Sequence, residues 1–216
     1  LETKPHRMIL TRERFDGDTV RNLLTLADAH GMTLARLPRM AELRDGAGDR
    51  LEIQPVAVED LLGRPRTVLD RDAMRELITG RRVLITGAGG TIGSELARQI
   101  AAIGPGALIL LDHSEYLLYE IDMALAKAHP ALDRVPVLGD VRDRGRIDDV
   151  IAREKPNLVI HAAALKHVPM VERNPNEGVL TNVIGGRNVA DACRAANVEL
   201  MVQISTDKAV NPANVM

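Results

Sequence analysis

The chain has 216 residues, 45% hydrophobic and 27% charged, with a net charge of −2. That is enough to bury the core of one medium domain plus a small one, in a soluble globular composition. There is no Trp, one Phe (Phe15) and two Tyr (Tyr116, Tyr119), so the core is aliphatic and a base-stacking nucleic-acid platform is disfavoured. The two signs of charge are interspersed, which offers no groove for a phosphate backbone. No apolar run is long enough to cross a bilayer, and none reads as a signal peptide. The single cysteine, Cys193, forms no internal disulfide and sits among alanines in a helical pattern, as a small buried filler in a reducing compartment. The chain starts at Leu1 rather than Met and stops at Met216 soon after a strand, which leads us to expect further segments on both sides.

In chain order, Met8-Ile9-Leu10 reads as a strand, and Asp18 as the cap of a helix carrying Val20, Leu23, Leu24, Leu26 and Ala27. Gly31 ends that helix, and Met32–Leu37 is the next strand. We expect residues 1–45 to be the C-terminal part of a small α/β domain. Residues 46–80 read as linker and lead-in, broken by Gly46, Gly48, Pro55, Gly63 and Pro65, with a short helix over Leu69–Ile78. From 81 to 216 apolar strands alternate with helices. The strands are Val83–Ile85, Ala107–Leu111, Val135–Leu138, Leu158–Ile160 and Leu200–Ile204. The helices are Ser94–Ile103, Glu115–His129, Arg144–Glu154 and Glu177–Ala196. This predicts an α/β fold, a Rossmann-type doubly wound parallel sheet covered on both faces, with ligands outside the carboxyl ends of the strands.

Those ends carry the chemistry. After the first strand comes Gly87-Ala88-Gly89-Gly90-Thr91-Ile92-Gly93. Glycines there permit a tight turn and let a pyrophosphate approach the backbone, while the helix that follows points free N–H groups and a positive dipole end at the phosphates. The strand–turn–helix context makes this a dinucleotide site. Asp112 ends the second strand, 19 residues after Gly93. A carboxylate there accepts from the adenosine ribose hydroxyls and repels a 2′-phosphate, favouring NAD over NADP. Its bland alternative is a helix cap, a role also open to Ser114. Asp140-Val141 ends the third strand at the adenine edge, where Asp140 accepts from the exocyclic amine or simply pairs with Arg142. Ala162, Ala163 and Ala164 leave room for the cofactor against the backbone, and Lys166 reaches toward a phosphate or ribose. His161 and His167 lack an evident third ligand, so no metal is expected. Ser205, Thr206, Asp207 and Lys208 crowd the end of the fifth strand, where the nicotinamide belongs.

Together Thr86–Leu96, Leu111–Glu115, His161–Glu172 and Ser205–Met216 resemble the extended short-chain dehydrogenases/reductases that modify nucleotide sugars. The resemblance is closest to the polysaccharide-biosynthesis group of UDP-N-acetylglucosamine 4,6-dehydratases, over about residues 50–216. It implies NAD recycled within the turnover, a UDP-sugar substrate, and a cofactor site that also takes in His113, Ser114, Val141 and Asn182. It implies that Thr206 hydrogen-bonds the C4 oxygen, that Asp207 protonates the departing C6 hydroxyl, and that Lys208 removes the C5 proton. The position of the superfamily's tyrosine is Met216, which exchanges no protons, as in that dehydratase branch. A lysine base needs its pKa brought down from about 10.4, by desolvation or by the positive nicotinamide.

The resemblance also implies a full-length protein anchored at the cytoplasmic side of the inner membrane, this chain itself being soluble, and a homo-oligomer formed through the helices Glu115–His129 and Glu177–Ala196. With its sugar-nucleotide domain missing, the chain is expected to bind NAD and to turn over poorly. Two alternatives stay open: a nucleotide-sugar C4 epimerase or C5-inverting dehydratase, and a non-catalytic NAD-binding module.

Overall fold

A computed structural model describes residues 5–11, 17–37, 54–55, 70–206, 211 and 214. The chain divides into two compact units, Leu1–Asp70 and Arg71–Met216. In the first, strand β1 (Arg7–Leu10) leads through helix α1 (Gly17–Ala29) to β2 (Thr33–Arg36), and the two strands pair in parallel. Leu10, Val20, Ala27 and Leu34 form its core, with Met8, Leu23 and Met32 packed against them. Asp18 does not cap α1 from outside. It lies in the first turn, where its carboxylate accepts from Arg21 Nη1 at 2.8 Å. A two-residue strand β3 (Gln54–Pro55), unforeseen in the sequence, pairs antiparallel with β2.

The second unit opens with α2 (Arg71–Ile78), whose Ile78 joins the core of the sheet that follows. Its chain order is β4 (Arg82–Thr86), α3 (Thr91–Ile103), β5 (Ala107–Asp112), α4 (Glu115–Ala128), β6 (Arg134–Leu138), α5 (Arg144–Glu154) and β7 (Leu158–His161). Then come α6 (Val168–Arg173), α7 (Pro175–Gly178), a π-helical stretch (Val179–Gly185), α8 (Gly186–Ala195) and β8 (Leu200–Gln203). The strands lie in the order β6-β5-β4-β7-β8, all parallel. The chain winds outward from β4 to β6, then restarts on the other side of β4 at β7. The switch point therefore falls between β4 and β7, where such folds open a crevice at the carboxyl ends of the strands.

Alternation along each strand sends side chains to opposite faces. Val83, Ile85, Leu108, Leu110, Leu158 and Ile160 pack under α3 and α4. Leu84, Ile109, Leu111 and Val159 pack under α5 and α8, with Cys193 buried among them. Burial pushes the Cys193 thiol up to about 11, which keeps it a protonated filler. The helices α4 and α8 cover opposite faces of the sheet. The long helix expected over Glu177–Ala196 is also less regular than its sequence suggested: α7 starts at Pro175, and seven residues, Val179–Gly185, are π-helical before α8 begins.

Candidate functional site at the switch point

The glycine turn leaves β4 at Thr86 and enters α3 at Thr91. Gly87 has φ +68°, and a Cβ there would lie 2.7 Å from the backbone N and Cα of Ala163. The turn is thus pressed onto the backbone that follows β7, which only glycine permits. A Cβ on Gly93 would collide with the Gly87 carbonyl oxygen, so the turn is closed by glycine meeting glycine. Gly90 is the N-cap of α3 and supplies no side-chain cap. The first-turn N–H groups, which have no partner within the helix, are therefore offered at the crevice.

Asp112, at the end of β5, is 4% exposed. Its Oδ2 accepts from Gly89 N and its Oδ1 from Ser114 N, each at 2.9 Å. The carboxylate is locked to the glycine turn by two backbone donors, and an ionised carboxylate still has lone pairs left for ribose hydroxyls. Ser114 caps α4, its Oγ accepting from Leu117 N at 3.4 Å. His113 is exposed, with Nδ1 3.4 Å from Asp112 Oδ1.

Asp140, expected to meet the adenine amine, turns its carboxylate to Arg142. Oδ1 accepts from Arg142 N at 2.9 Å, and Oδ2 from Nε and Nη2 at 2.8 and 2.6 Å. The Arg142 guanidinium holds the Asp140 carboxyl below the usual carboxylate range and also donates to Glu177 at 2.8 Å. Val141 is buried, and the buried Asn188 donates to the carbonyls of Val141 and Arg142 at 3.0 and 3.2 Å.

On the other side of the switch point, Ala162 and Ala163 are half-buried, while Ala164, Lys166 and His167 are exposed. Asn182 points both amide atoms at Leu165: Oδ1 accepts from Leu165 N at 2.8 Å and Nδ2 donates to Leu165 O at 2.9 Å. It therefore shapes the alanine segment from the π-helical stretch. His161 is fully buried. Its Nδ1 shares a 2.5 Å hydrogen bond with Thr86 Oγ1, and its Nε2 has no hydrogen-bond partner. Burial pushes its pKa down to about 4. Among the described residues no cluster of three or more His, Cys, Asp or Glu side chains is arranged to hold a metal.

At the end of β8, Ser205 and Thr206 are exposed, and Ile204 N donates to His161 O at 2.9 Å. Asp207, Lys208 and Met216 lie outside the described residues. Thr86, Asn188 and the Arg142–Glu177 pair were not singled out from sequence. Thr86 and Asn188 carry no local signal of their bonds, and Glu177 lies 35 residues from Arg142. A cavity of about 420 Å³ lies away from all of these, at the amino ends of β7 and β8, bordered by Lys155, Asn157, Asn197 and Glu199.

Residues 83–216 match the family described as "Polysaccharide biosynthesis protein". The chain belongs to this family. Proteins similar to it include the capsular polysaccharide biosynthesis protein CapD of Staphylococcus aureus, 41% identical over 88% of this chain and 32% of CapD. A UDP-N-acetylglucosamine 4,6-dehydratase (inverting) of Campylobacter jejuni is 38% identical over 62% of this chain and 39% of the relative. Among solved structures, the UDP-glucose-4-epimerase of Stenotrophomonas maltophila, with bound NAD and formylated UDP-arabinopyranose, is 26% identical with a TM-score of 0.53. That match covers 59% of this chain and 38% of the epimerase. The chain spans about a third of the length of the polysaccharide-biosynthesis relatives it matches. Among the described residues no helix is long and apolar enough to cross a membrane.

Proposed function

We propose that this chain is the NAD-binding part of a nucleotide-sugar 4,6-dehydratase that converts UDP-N-acetylglucosamine to a UDP-4-keto-6-deoxy sugar for surface polysaccharide or glycoprotein. The observation that carries the reading is the glycine turn at the switch point with the buried Asp112 locked to it. Gly87, Gly89, Gly90, Thr91, Ile92 and Gly93 line the pyrophosphate seat. Asp112, with His113 and Ser114 beside it, selects the unphosphorylated ribose of NAD. Bound NAD would supply a reversible hydride acceptor at this seat.

The chain's own residues handle the protons. Thr206 hydrogen-bonds the C4 oxygen as the C4 hydroxyl proton passes to solvent, Lys208 takes the C5 proton made acidic by the C4 ketone and returns a proton to C5 when C6 is reduced, and Asp207 gives a proton to the C6 hydroxyl as it leaves as water. Ala162, Ala163, Ala164, Lys166 and Ser205 border the nicotinamide half, and Asn182 acts through Leu165 rather than by direct contact. Asp140 acts at the adenine edge together with Arg142, above the buried Val141. The same reading puts the full-length enzyme at the cytoplasmic side of the inner membrane as a homo-oligomer.

The likeness to an NAD-bound epimerase supports a second reading, C4 epimerisation at the same cofactor site. Product NMR after incubating UDP-N-acetylglucosamine with the protein at the full length of its relatives separates the two. A 4-keto-6-deoxy sugar supports the dehydratase, and a C4 epimer with its C6 hydroxyl intact overturns it.

A further inference from the structure

We propose that His161 is a positioning residue for the dinucleotide crevice, holding the glycine turn and the alanine segment in register through its hydrogen bond to Thr86. The proposal rests on the NAD reading above. Thr86 and His161 are register partners on β4 and β7, the two strands that flank the switch point. Each is the last residue of its strand. Gly87 begins the turn after one, and Ala162-Ala163 begins the segment after the other. These two backbones lie so close that a single added carbon at Gly87 would sit 2.7 Å from Ala163. A small shear between the strand ends therefore changes the shape of the cofactor seat. The backbone ladder gives one tie there, Ala162 N to Thr86 O at 3.1 Å, and the side-chain bond from Thr86 Oγ1 to His161 Nδ1 gives a second.

The choice of histidine is costly. Its ring is fully buried, yet Nε2 is unpartnered. A buried unpaired nitrogen carries a free-energy penalty that a leucine of similar bulk would avoid. On its far side the ring faces Gly186, where a Cβ would lie 3.7 Å from Nε2 and 3.8 Å from Gln203 Oε1, and neither residue hydrogen-bonds Nε2. The penalty is explained if Nδ1 is what the site requires. Burial also keeps the ring neutral, so the tie holds through the neutral pH range.

The test uses isosteric logic on the chain itself, reading the NAD dissociation constant by calorimetry beside the thermal midpoint. Asparagine places a polar atom where Nδ1 sits, and glutamine places one where Nε2 sits. His161→Leu is expected to weaken NAD binding roughly tenfold, the scale of one lost buried hydrogen bond, while its thermal midpoint holds, relief of the orphaned Nε2 offsetting the newly orphaned Thr86 hydroxyl. Thr86→Val weakens binding to a similar degree. His161→Asn stays within about threefold of the parent, and His161→Gln behaves like leucine.

The proposal is overturned if the Leu and Val variants bind NAD as the parent does, if affinity falls only in step with the thermal midpoint, or if Gln rescues as well as Asn. Should the Leu variant fail to fold, the Thr86→Val and Asn-versus-Gln comparisons decide. A parent chain that binds no NAD overturns the cofactor reading and this proposal together. A parent that binds, with indifferent variants, overturns this proposal alone.

Discussion

The two acidic strand ends of the second unit solve the same problem in different ways. At β5, Asp112 is buried and satisfied by two backbone N–H groups from the glycine turn and the next helix. At β6, Asp140 is partly exposed and held chiefly by the Arg142 guanidinium, itself shared with Glu177, beside one bond from Arg142 N. The first end is made of backbone and depends on where glycines fall. The second is made of side chains and depends on charge. A backbone seat tolerates salt and neutral pH but not an added carbon, whereas a side-chain clasp tolerates substitution but is screened.

Breaking the backbone end should have the largest effect. Gly93→Ala forces a carbon into the Gly87 carbonyl oxygen, so we expect a loss of about 3 kcal/mol in denaturant unfolding and no measurable NAD binding. Acid should act next, and first at the buried end of β7. His161 has a folded pKa of about 4 against an ordinary 6.5. The folded state therefore binds fewer protons than the unfolded chain between those values. Stability is complete above about pH 6.5 and falls by up to about 3 kcal/mol as pH drops toward 4. His161→Asn should flatten that slope in urea titrations run across the same range. Asp140, whose folded pKa is lowered, loses its contribution only as pH falls below the ordinary carboxylate value, so the ends of β7 and β6 separate on one pH axis.

Asp112→Ala orphans the N–H groups of Gly89 and Ser114 and should cost about 2 kcal/mol, with NAD affinity down by more than tenfold. Arg142→Ala should be the mildest. The pair is partly exposed, so the loss stays below about 1 kcal/mol and shrinks further in high salt. An Arg142 effect larger than that of Asp112 would reverse the comparison.

The backbone end was largely legible in the sequence for the same reason that it is robust. The run Ala107–Leu111 is apolar throughout because both faces of β5 are covered, and the spacing of Gly87, Gly90 and Gly93 is local. Asp112 was legible as a carboxylate at a strand end, but its bond to Gly89 was not, since that depends on how the turn folds back. The side-chain end was less legible. Arg142 was seen beside Asp140, while Glu177 joins them only through the packing of α7. The π-helical stretch and the two bonds from Asn182 to Leu165 also escaped, because apolar periodicity does not distinguish a widened turn from an α-helical one. In the sequence His161 and His167 lacked an evident third ligand, so no metal was expected and His161 had no assigned partner. Its meaning came from register, which sets it opposite Thr86.

The most direct test of the central claim is a backbone amide NMR titration of the chain with NAD. The account predicts that the largest shifts fall on Gly87–Gly93, Asp112–Ser114 and Ala162–Ala164, all at the carboxyl ends of the strands. Shifts that spare the glycine turn and gather instead around Lys155, Asn157, Asn197 and Glu199, at the opposite edge of the sheet, would contradict it.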